Sequence, residues 1–196
     1  MSITTTIKIV FIGESNSGKS EIIKKYLKLE QISKPTVFDT YRYKYKEGEY
    51  KDIYLNICDT NGSEEIERLI KMSYLDADIF ILCIESSNVK DNLHYQKVIN
   101  DLKKSDKPIL LAVTKCDKFI KKSQPTMDSI TSSTNNNLSI LKHNSYEIIK
   151  KYNLTSYMLV SNKRIKSIEE LFDEVVKIYY EQQNMNTRHQ CCCFYY

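Results

Sequence analysis

Glycine is scarce in this chain of 196 residues, which contains only four, at positions 13, 18, 48 and 62. A chain so sparing with glycine keeps it where the backbone needs a conformation that other residues resist. The surroundings of Gly48 predict a hairpin turn, whereas Gly13, Gly18 and Gly62 fall in patterns typical of phosphate-binding loops.

Long apolar runs and blocks of like charge are also missing. The longest apolar run, residues 79–84, is far too short to cross a bilayer, and the N-terminus lacks the charged-then-apolar pattern of a secretory signal. The 29 lysines and arginines are spread along the chain and leave a net charge of only +4, so we expect no nucleic-acid partner. A hydrophobic content of 41% and a charged content of 28% are typical of a globular protein.

Three cysteines, Cys58, Cys83 and Cys116, lie in or beside apolar runs, where thiols behave as small hydrophobic groups. Together with the lack of a signal pattern, this favours a reducing, intracellular setting. The length fits one domain, predicted over residues 1–183, followed by a flexible C-terminal tail over residues 184–196 that carries a cysteine cluster.

Stretches of extended and of helical period alternate along the chain, which predicts an α/β fold. We expect a six-stranded, mostly parallel sheet with one antiparallel strand and with helices on both faces. The continuous apolar runs at residues 79–84 and 109–113 are typical of central strands. A last helix is indicated by an apolar stripe after Ser167, whose spacing to Glu170 is that of a capping box.

Two segments depart from this alternation. Tyr41, Tyr43 and Tyr45 alternate with charged residues ahead of Gly48, and residues 50–58 follow, which predicts an antiparallel hairpin. Residues 118–138 are polar and lack core spacing, so we expect an inserted surface loop there.

The pattern G-x-x-x-x-G-K-[ST] stands between the first predicted strand and the first predicted helix, and we call it the P-loop. It consists of Gly13, Glu14, Ser15, Asn16, Ser17, Gly18, Lys19 and Ser20. Backbone N–H groups of such a loop form a cradle for phosphates, with Lys19 reaching the β- and γ-phosphates and the Ser20 hydroxyl ligating Mg²⁺. A solvated glycine loop is the alternative, and the pattern alone does not distinguish ATP from GTP.

Three shorter motifs follow other predicted strands. The first is Asp59-Thr60-Asn61-Gly62, in which the Asp59 carboxylate can hold a Mg²⁺-bound water and the N–H of Gly62 can point at a γ-phosphate. In the base motif, Thr114-Lys115-Cys116-Asp117, the Asp117 carboxylate can accept two hydrogen bonds from guanine N1 and N2, a donor pair that adenine lacks.

The third of these motifs, the support loop, comprises Ser161, Asn162 and Lys163 and can hold the base from its other side. Each short motif alone is as readily a plain turn. In this order, each at the carboxyl end of a strand, they predict one ligand site, because ligands of open α/β sheets bind at that edge.

These residues resemble the Ras superfamily of small GTPases and, within it, the Rho/Rac family, over residues 5–182. The resemblance implies a P-loop GTPase domain that binds GTP or GDP with Mg²⁺ and works as a cytoskeleton-type signalling switch with effector proteins, exchange factors and GTPase-activating proteins. Residues 34–39 resemble switch I of that family, in which Thr36 ligates Mg²⁺, and residues 118–138 resemble its insert. The implied effector region is Lys34, Pro35, Thr36, Val37, Phe38, Asp39 and Tyr41.

Two positions depart from the family pattern. Ser63 stands where the family carries the glutamine that orients the attacking water, and Ser15 replaces a usual glycine of the P-loop. Both changes predict slow, activator-resistant hydrolysis. The alternative is a constitutively GTP-bound scaffold with little hydrolysis. A P-loop kinase or ATPase is a third hypothesis, against which the base motif argues.

The chain ends in Cys191-Cys192-Cys193 followed by three aromatic residues. Cys193 is fourth from the end, as in a prenylation box, and Cys191 or Cys192 could carry the second lipid that stable anchoring needs. We expect a lipidated protein on the cytosolic face of a membrane. If the cysteine-rich tail is not lipidated, we expect a cytoplasmic protein.

Overall fold

The computed structural model describes residues 4–29, 38–46, 53–60, 74–90, 93–119 and 131–192. These residues form six strands, four α-helices and a 3₁₀ turn, η1. In chain order they are β1 (Thr5–Ile12), α1 (Lys19–Tyr26), β2 (Phe38–Lys44), β3 (Ile53–Thr60), β4 (Ile79–Glu85), α2 (Leu93–Lys103), β5 (Ile109–Thr114), η1 (Cys116–Lys118), α3 (Thr131–Tyr152), β6 (Ser156–Leu159) and α4 (Ile165–Cys192).

The strands form one sheet in the order β2-β3-β1-β4-β5-β6. Strand β2 runs antiparallel to β3, with Tyr41 opposite Ile57, and all other neighbours are parallel. The predicted α/β fold with one antiparallel strand is therefore confirmed. The turn expected at Gly48 lies outside the described residues.

Helices cover both faces of the sheet. Helices α1 and α4 pack on one face, where the Tyr26 and Phe172 rings stack with their centroids 3.7 Å apart. Helices α2 and α3 contribute Ile99 and Ile148 to the core on the opposite face. The apolar side chains of β4 and β5 are buried on both faces, as continuous apolar runs predict. This layering places the carboxyl ends of β1, β4, β5 and β6 at one edge.

Helix α3 corrects the expectation of a surface loop over residues 118–138. Residues 131–138 are the first turns of this helix, η1 includes Lys118, and residues 120–130 lie outside the described part. Serine, threonine and asparagine have low intrinsic helix propensity, so the composition of this segment predicts a loop where the structure has a helix. The apolar stripe that includes Leu141 and Ile148 anchors the helix, so the polar turns extend an already packed element.

Helix α4 corrects two further expectations. It begins at Ile165, so Ser167 lies inside its first turn and is not the N-cap of a capping box. It continues to Cys192, so residues 184–192 are helical where a flexible tail is predicted. The chain contains no glycine or proline between residues 163 and 192, and therefore has no signal that would stop the helix. Within the described ranges, no helix has both the length and the apolar character to span a bilayer.

Candidate nucleotide-binding site

The P-loop joins β1 to α1 through three residues with positive φ. Gly13 has a φ of 149° and Gly18 a φ of 93°, and Asn16 between them has a φ of 61°. A Cβ atom on Gly13 would lie 2.3 Å from the carbonyl oxygen of Cys83 in β4. Glycine is therefore required at position 13, because the loop passes directly against the neighbouring strand.

The Lys19 side chain folds back into this loop. Its Nζ atom donates hydrogen bonds to the carbonyl oxygens of Gly13 at 2.8 Å and Glu14 at 2.7 Å, and Ser17 Oγ lies 3.4 Å away. Only 5% of the residue is exposed. Burial lowers the pKa of Lys19 below its ordinary value, and nearby negative charge, including that of Asp59, opposes the shift. A buried ammonium ringed by loop carbonyls is a suitable partner for phosphate oxygens.

The base motif is attached directly to the P-loop. Thr114 ends β5, and its hydroxyl donates a 2.6 Å hydrogen bond to the carbonyl oxygen of Ser17. Both residues are buried. The bond spans 97 positions of sequence and fixes the distance between the phosphate cradle and the segment that follows β5.

Asp117 lies in η1, just beyond Lys115, which adopts a left-handed backbone conformation with a φ of 56°. The Ser161 hydroxyl donates to Asp117 Oδ1 at 2.8 Å, and Lys163 Nζ lies 2.6 Å from Oδ2. The hydrogen bond from Lys163 lowers the pKa of Asp117, with a smaller contribution from Ser161. The structure thus brings the base motif and the support loop together around one ionised carboxylate.

The support loop is held at both of its ends. The Ser167 hydroxyl accepts a hydrogen bond from the Ser161 N–H at 3.1 Å and donates to the Arg164 carbonyl oxygen at 2.7 Å. The Asn162 side-chain amide donates to the Glu21 carboxylate on α1. Ser167 therefore serves the loop and not a helix cap, which explains why the capping-box interpretation is wrong.

Two residues of the expected Mg²⁺ site are described. Ser20 is in the first turn of α1, and Asp59 is fully buried in β3, where it lies opposite Phe11 of β1. The negative charge of Asp59 raises the pKa of Lys19, the P-loop residue directly before Ser20. A hydroxyl and a carboxylate are the hard oxygen ligands that Mg²⁺ prefers, so this donor set fits the ion.

Several predicted site residues fall elsewhere. Phe38, Asp39 and Tyr41 lie on β2, the edge strand next to β3. Cys191 and Cys192 are the last two residues of α4. The remaining predicted positions lie outside the described residues: Lys34, Pro35, Thr36, Val37, Gly62, Ser63 and Cys193.

The contributions of Glu85 and Ser86 to the site could not be predicted from the sequence. The Glu85 carboxylate, at the end of β4, lies 2.7 Å from Lys115 Nζ. The Ser86 hydroxyl donates to the Lys115 carbonyl oxygen at 3.1 Å. The only signal for either residue is that polar side chains end an apolar run, which gives no indication of a partner about 30 positions away.

Comparison with known proteins identifies the family. A model of the Ras family matches residues 8–181. The Rho-related protein racC of Entamoeba histolytica is 30% identical over 181 residues, which cover 88% of this chain and 89% of that protein. The GTP-binding protein RHO3 of Saccharomyces cerevisiae is 27% identical over 87% of this chain and 83% of that protein. The Rho-related GTP-binding protein RhoD of Homo sapiens is 21% identical over 92% and 86%. The chain therefore belongs to the Ras family of small GTPases, as a divergent member of its Rho branch.

Proposed function

We propose that this Rho-family switch holds the phosphates of GTP and GDP in the P-loop, selects guanine through Asp117 and hydrolyses GTP slowly. The observation that carries the proposal is the 2.6 Å hydrogen bond from Thr114 to the carbonyl oxygen of Ser17. It joins a phosphate-binding element to a base-binding element at the edge of a parallel sheet where ligands bind.

Lys19 supplies the positive charge for the phosphates. Its ammonium already lies within hydrogen-bonding distance of two loop carbonyl oxygens, 2.7 and 2.8 Å away. Phosphate oxygens are stronger acceptors than carbonyl oxygens because they carry formal charge. The buried ammonium therefore gains interaction energy when nucleotide binds, and the backbone N–H groups at the start of α1 add to it.

Asp117 supplies the selection of the base. Its two carboxylate oxygens offer about four acceptor sites, of which Ser161 and Lys163 use one each. The remaining sites match the N1–H and N2–H donors of guanine, whereas adenine presents an acceptor at N1. Buried polar groups left unpaired by the wrong base make such discrimination large.

Ser20 and Asp59, with Thr36 of switch I, are the residues that would hold Mg²⁺. The bound ion supplies positive charge that neutralises the β- and γ-phosphates. Thr36 would sense the γ-phosphate, and the family's effector surface would include Phe38, Asp39 and Tyr41 on the edge strand β2.

Slow hydrolysis rests on Ser63 and Ser15. A serine hydroxyl is too short to orient a water that the family's longer glutamine reaches. The side chain at position 15 adds atoms where an activator's arginine enters, and such an arginine contributes roughly 10³–10⁵ in rate. The same two residues favour the second candidate, a scaffold that keeps GTP bound and scarcely turns over.

The test is single-turnover hydrolysis of GTP bound to the full chain, with and without a Rho-type activating protein. We expect slow cleavage that the activator barely changes, and at least about 10-fold faster cleavage in Ser63→Gln. A thousandfold acceleration of the wild-type protein by the activator would show that the proposed slow switch is wrong. Cleavage indistinguishable from uncatalysed GTP hydrolysis in water supports the scaffold instead.

Base selection has a separate test in Asp117→Asn, which replaces one acceptor oxygen with a donor. We expect GDP affinity to fall by about 10² or more, and xanthosine diphosphate, which carries an acceptor at C2, to bind better than to the wild-type protein. Unchanged GDP affinity would contradict the role of Asp117.

We also propose that the chain reaches a membrane through lipids on its cysteine cluster. Helix α4 ends at Cys192, directly before Cys193. One prenyl chain anchors a protein only marginally, so the proposal requires a second lipid on Cys191 or Cys192. Mass spectrometry of the native C-terminus tests it, with Cys193→Ser as the control. An unmodified native tail would contradict it.

A further inference from the structure

Glu85 contacts two lysines of the segment that presents Asp117. One carboxylate oxygen lies 2.7 Å from Lys115 Nζ, and the other lies 2.5 Å from Lys118 Nζ. The carboxylate is 19% exposed, and the two lysine side chains are 28% and 53% exposed. One anion thus bridges two lysines, one two positions before Asp117 and one directly after it.

The residue after Glu85 holds the same segment through its backbone and hydroxyl. The Ser86 N–H donates to the Thr114 carbonyl oxygen at 2.9 Å, and the Ser86 hydroxyl donates to the Lys115 carbonyl oxygen at 3.1 Å. Glu85, the last residue of β4, and Ser86 directly after it therefore make four contacts with residues 114–118. Such a set of contacts restricts the segment more than one surface ion pair can, since exposed single pairs contribute little.

The Glu85 carboxylate is ionised under physiological conditions. The hydrogen bond from Lys115 lowers the pKa of Glu85 to about 2, and the bond from Lys118 adds to this effect. The carboxylate therefore remains ionised at every pH at which the protein would work.

Asp117 is held on its other side by the support loop, through Ser161 and Lys163. Its backbone lies in η1, between Lys115 and Lys118. Among the described residues, Glu85 is the acid that pairs with the ammonium groups of both lysines, so loss of its charge releases them at this end of the turn.

We propose that Glu85 is a positioning residue for guanine recognition, which acts through Lys115 and Lys118 to hold the η1 turn so that Asp117 faces the base. The inference rests on the proposed role of Asp117. Glu85 itself does not contact the nucleotide in this assignment. It sets how well the two hydrogen bonds from guanine N1 and N2 can form at the same time.

The experiment compares Glu85→Gln with wild type by release of a fluorescent GDP analogue and by the affinity ratio of GDP to inosine diphosphate, which lacks the N2 donor. We expect about 10-fold faster release of GDP and a smaller GDP-to-inosine diphosphate ratio, because the second hydrogen bond is lost first. Glu170→Gln is the matched control. It removes an exposed carboxylate on α4 that pairs with Lys166 at 4.0 Å, and should leave both readouts unchanged.

A double-mutant cycle identifies the route of the effect. If Glu85 acts through the lysines, Glu85→Gln should add little to the release rate of Lys115→Met, and Lys118→Met should reproduce part of the effect.

Release and base ratio equal to wild type in Glu85→Gln overturn the proposal, as does faster release with an unchanged base ratio. If the wild-type protein shows no preference for guanine, or if Asp117→Asn keeps that preference, the role of Asp117 itself is wrong. That outcome is distinct from a failure of the Glu85 proposal. A melting temperature of Glu85→Gln within a few degrees of wild type verifies that the variant is folded.

Discussion

The Lys163 ammonium lies 2.6 Å from the Oδ2 atom of Asp117, the carboxylate to which we assign guanine recognition. Lys163 is highly exposed, whereas Asp117 is mostly covered. The lysine therefore reaches from solvent to the same carboxylate as the base, and its positive charge weakens that carboxylate as an acceptor for the guanine donors although acceptor sites remain. This arrangement makes the support loop a competitor for the carboxylate as well as its neighbour.

Replacing Lys163 with methionine should consequently strengthen GDP binding. Exposed ion pairs are worth about 0.2–1 kcal/mol, so the expected gain is up to about 5-fold in affinity. The gain should shrink as ionic strength rises, because salt already weakens the pair in the wild-type protein. Titration with a fluorescent GDP analogue at low and high salt measures both effects.

Lys166→Met is the control for this substitution. Lys166 is as exposed as Lys163, at 79%, but pairs with Glu170 on α4. We expect it to leave GDP affinity unchanged. Weaker GDP binding by Lys163→Met would show that the lysine supports the base and does not compete with it.

Gly13 and Gly18 should differ in their tolerance of alanine. A Cβ on Gly13 would meet the Cys83 carbonyl oxygen at 2.3 Å, and its φ of 149° is also unfavourable for alanine. A Cβ on Gly18 would be no closer than 3.7 Å to Thr114, so only its φ of 93° causes strain. We expect Gly13→Ala to lower the free energy of unfolding by about 3 kcal/mol or more and Gly18→Ala by about 1–2 kcal/mol. Urea denaturation measures both variants, and an equal loss of unfolding free energy in the two would contradict the clash at Gly13.

Thr114→Val tests the connection between the base motif and the P-loop. Valine keeps the shape of threonine but leaves the buried Ser17 carbonyl oxygen without its 2.6 Å hydrogen bond. Removing one partner of a buried hydrogen bond costs about 1–3 kcal/mol. We expect faster GDP release together with lower stability, and Thr114→Ser should retain most of both. If valine releases GDP at the wild-type rate, the two motifs are not coupled through this bond.

The parts of the site that could be predicted from sequence are those with a fixed local spacing. The P-loop and the base motif each need particular residue types at adjacent positions, and the apolar runs before them identify their strands. The alternation of Tyr41 and Tyr43 with charged residues likewise predicts one partly covered face of β2, and the structure shows these two tyrosines partly buried and Arg42 and Lys44 exposed.

Residues that act through tertiary contacts could not be predicted in this way. Glu85 and Lys115 are 30 positions apart and meet only because β4 and β5 are neighbours in the sheet. Ser167 has the spacing of a helix cap, yet its hydroxyl binds Ser161, which offers a competing partner in the folded chain. The helical start of α3 could not be predicted from its composition, because packing of the later turns outweighs the weak helix propensity of Thr131 and its neighbours.

Stability should depend on pH through Glu85 in acid. The Lys115 and Lys118 bonds lower its pKa in the folded protein to about 2, whereas an unfolded glutamate titrates near 4.3. The unfolded state therefore binds the proton first, so the stabilisation is complete above about pH 4.3 and is lost as the pH falls towards 2. We expect wild type to be more stable than Glu85→Gln at pH 6 and the difference to vanish near pH 2. Urea denaturation across this pH range measures the difference in stability. Glu170→Gln is the control. We expect its stability to stay close to that of wild type, because the exposed 4.0 Å pair of Glu170 with Lys166 contributes little. A difference between wild type and Glu85→Gln that stays constant from pH 6 to pH 2 would mean that the ionised carboxylate is not the stabilising form.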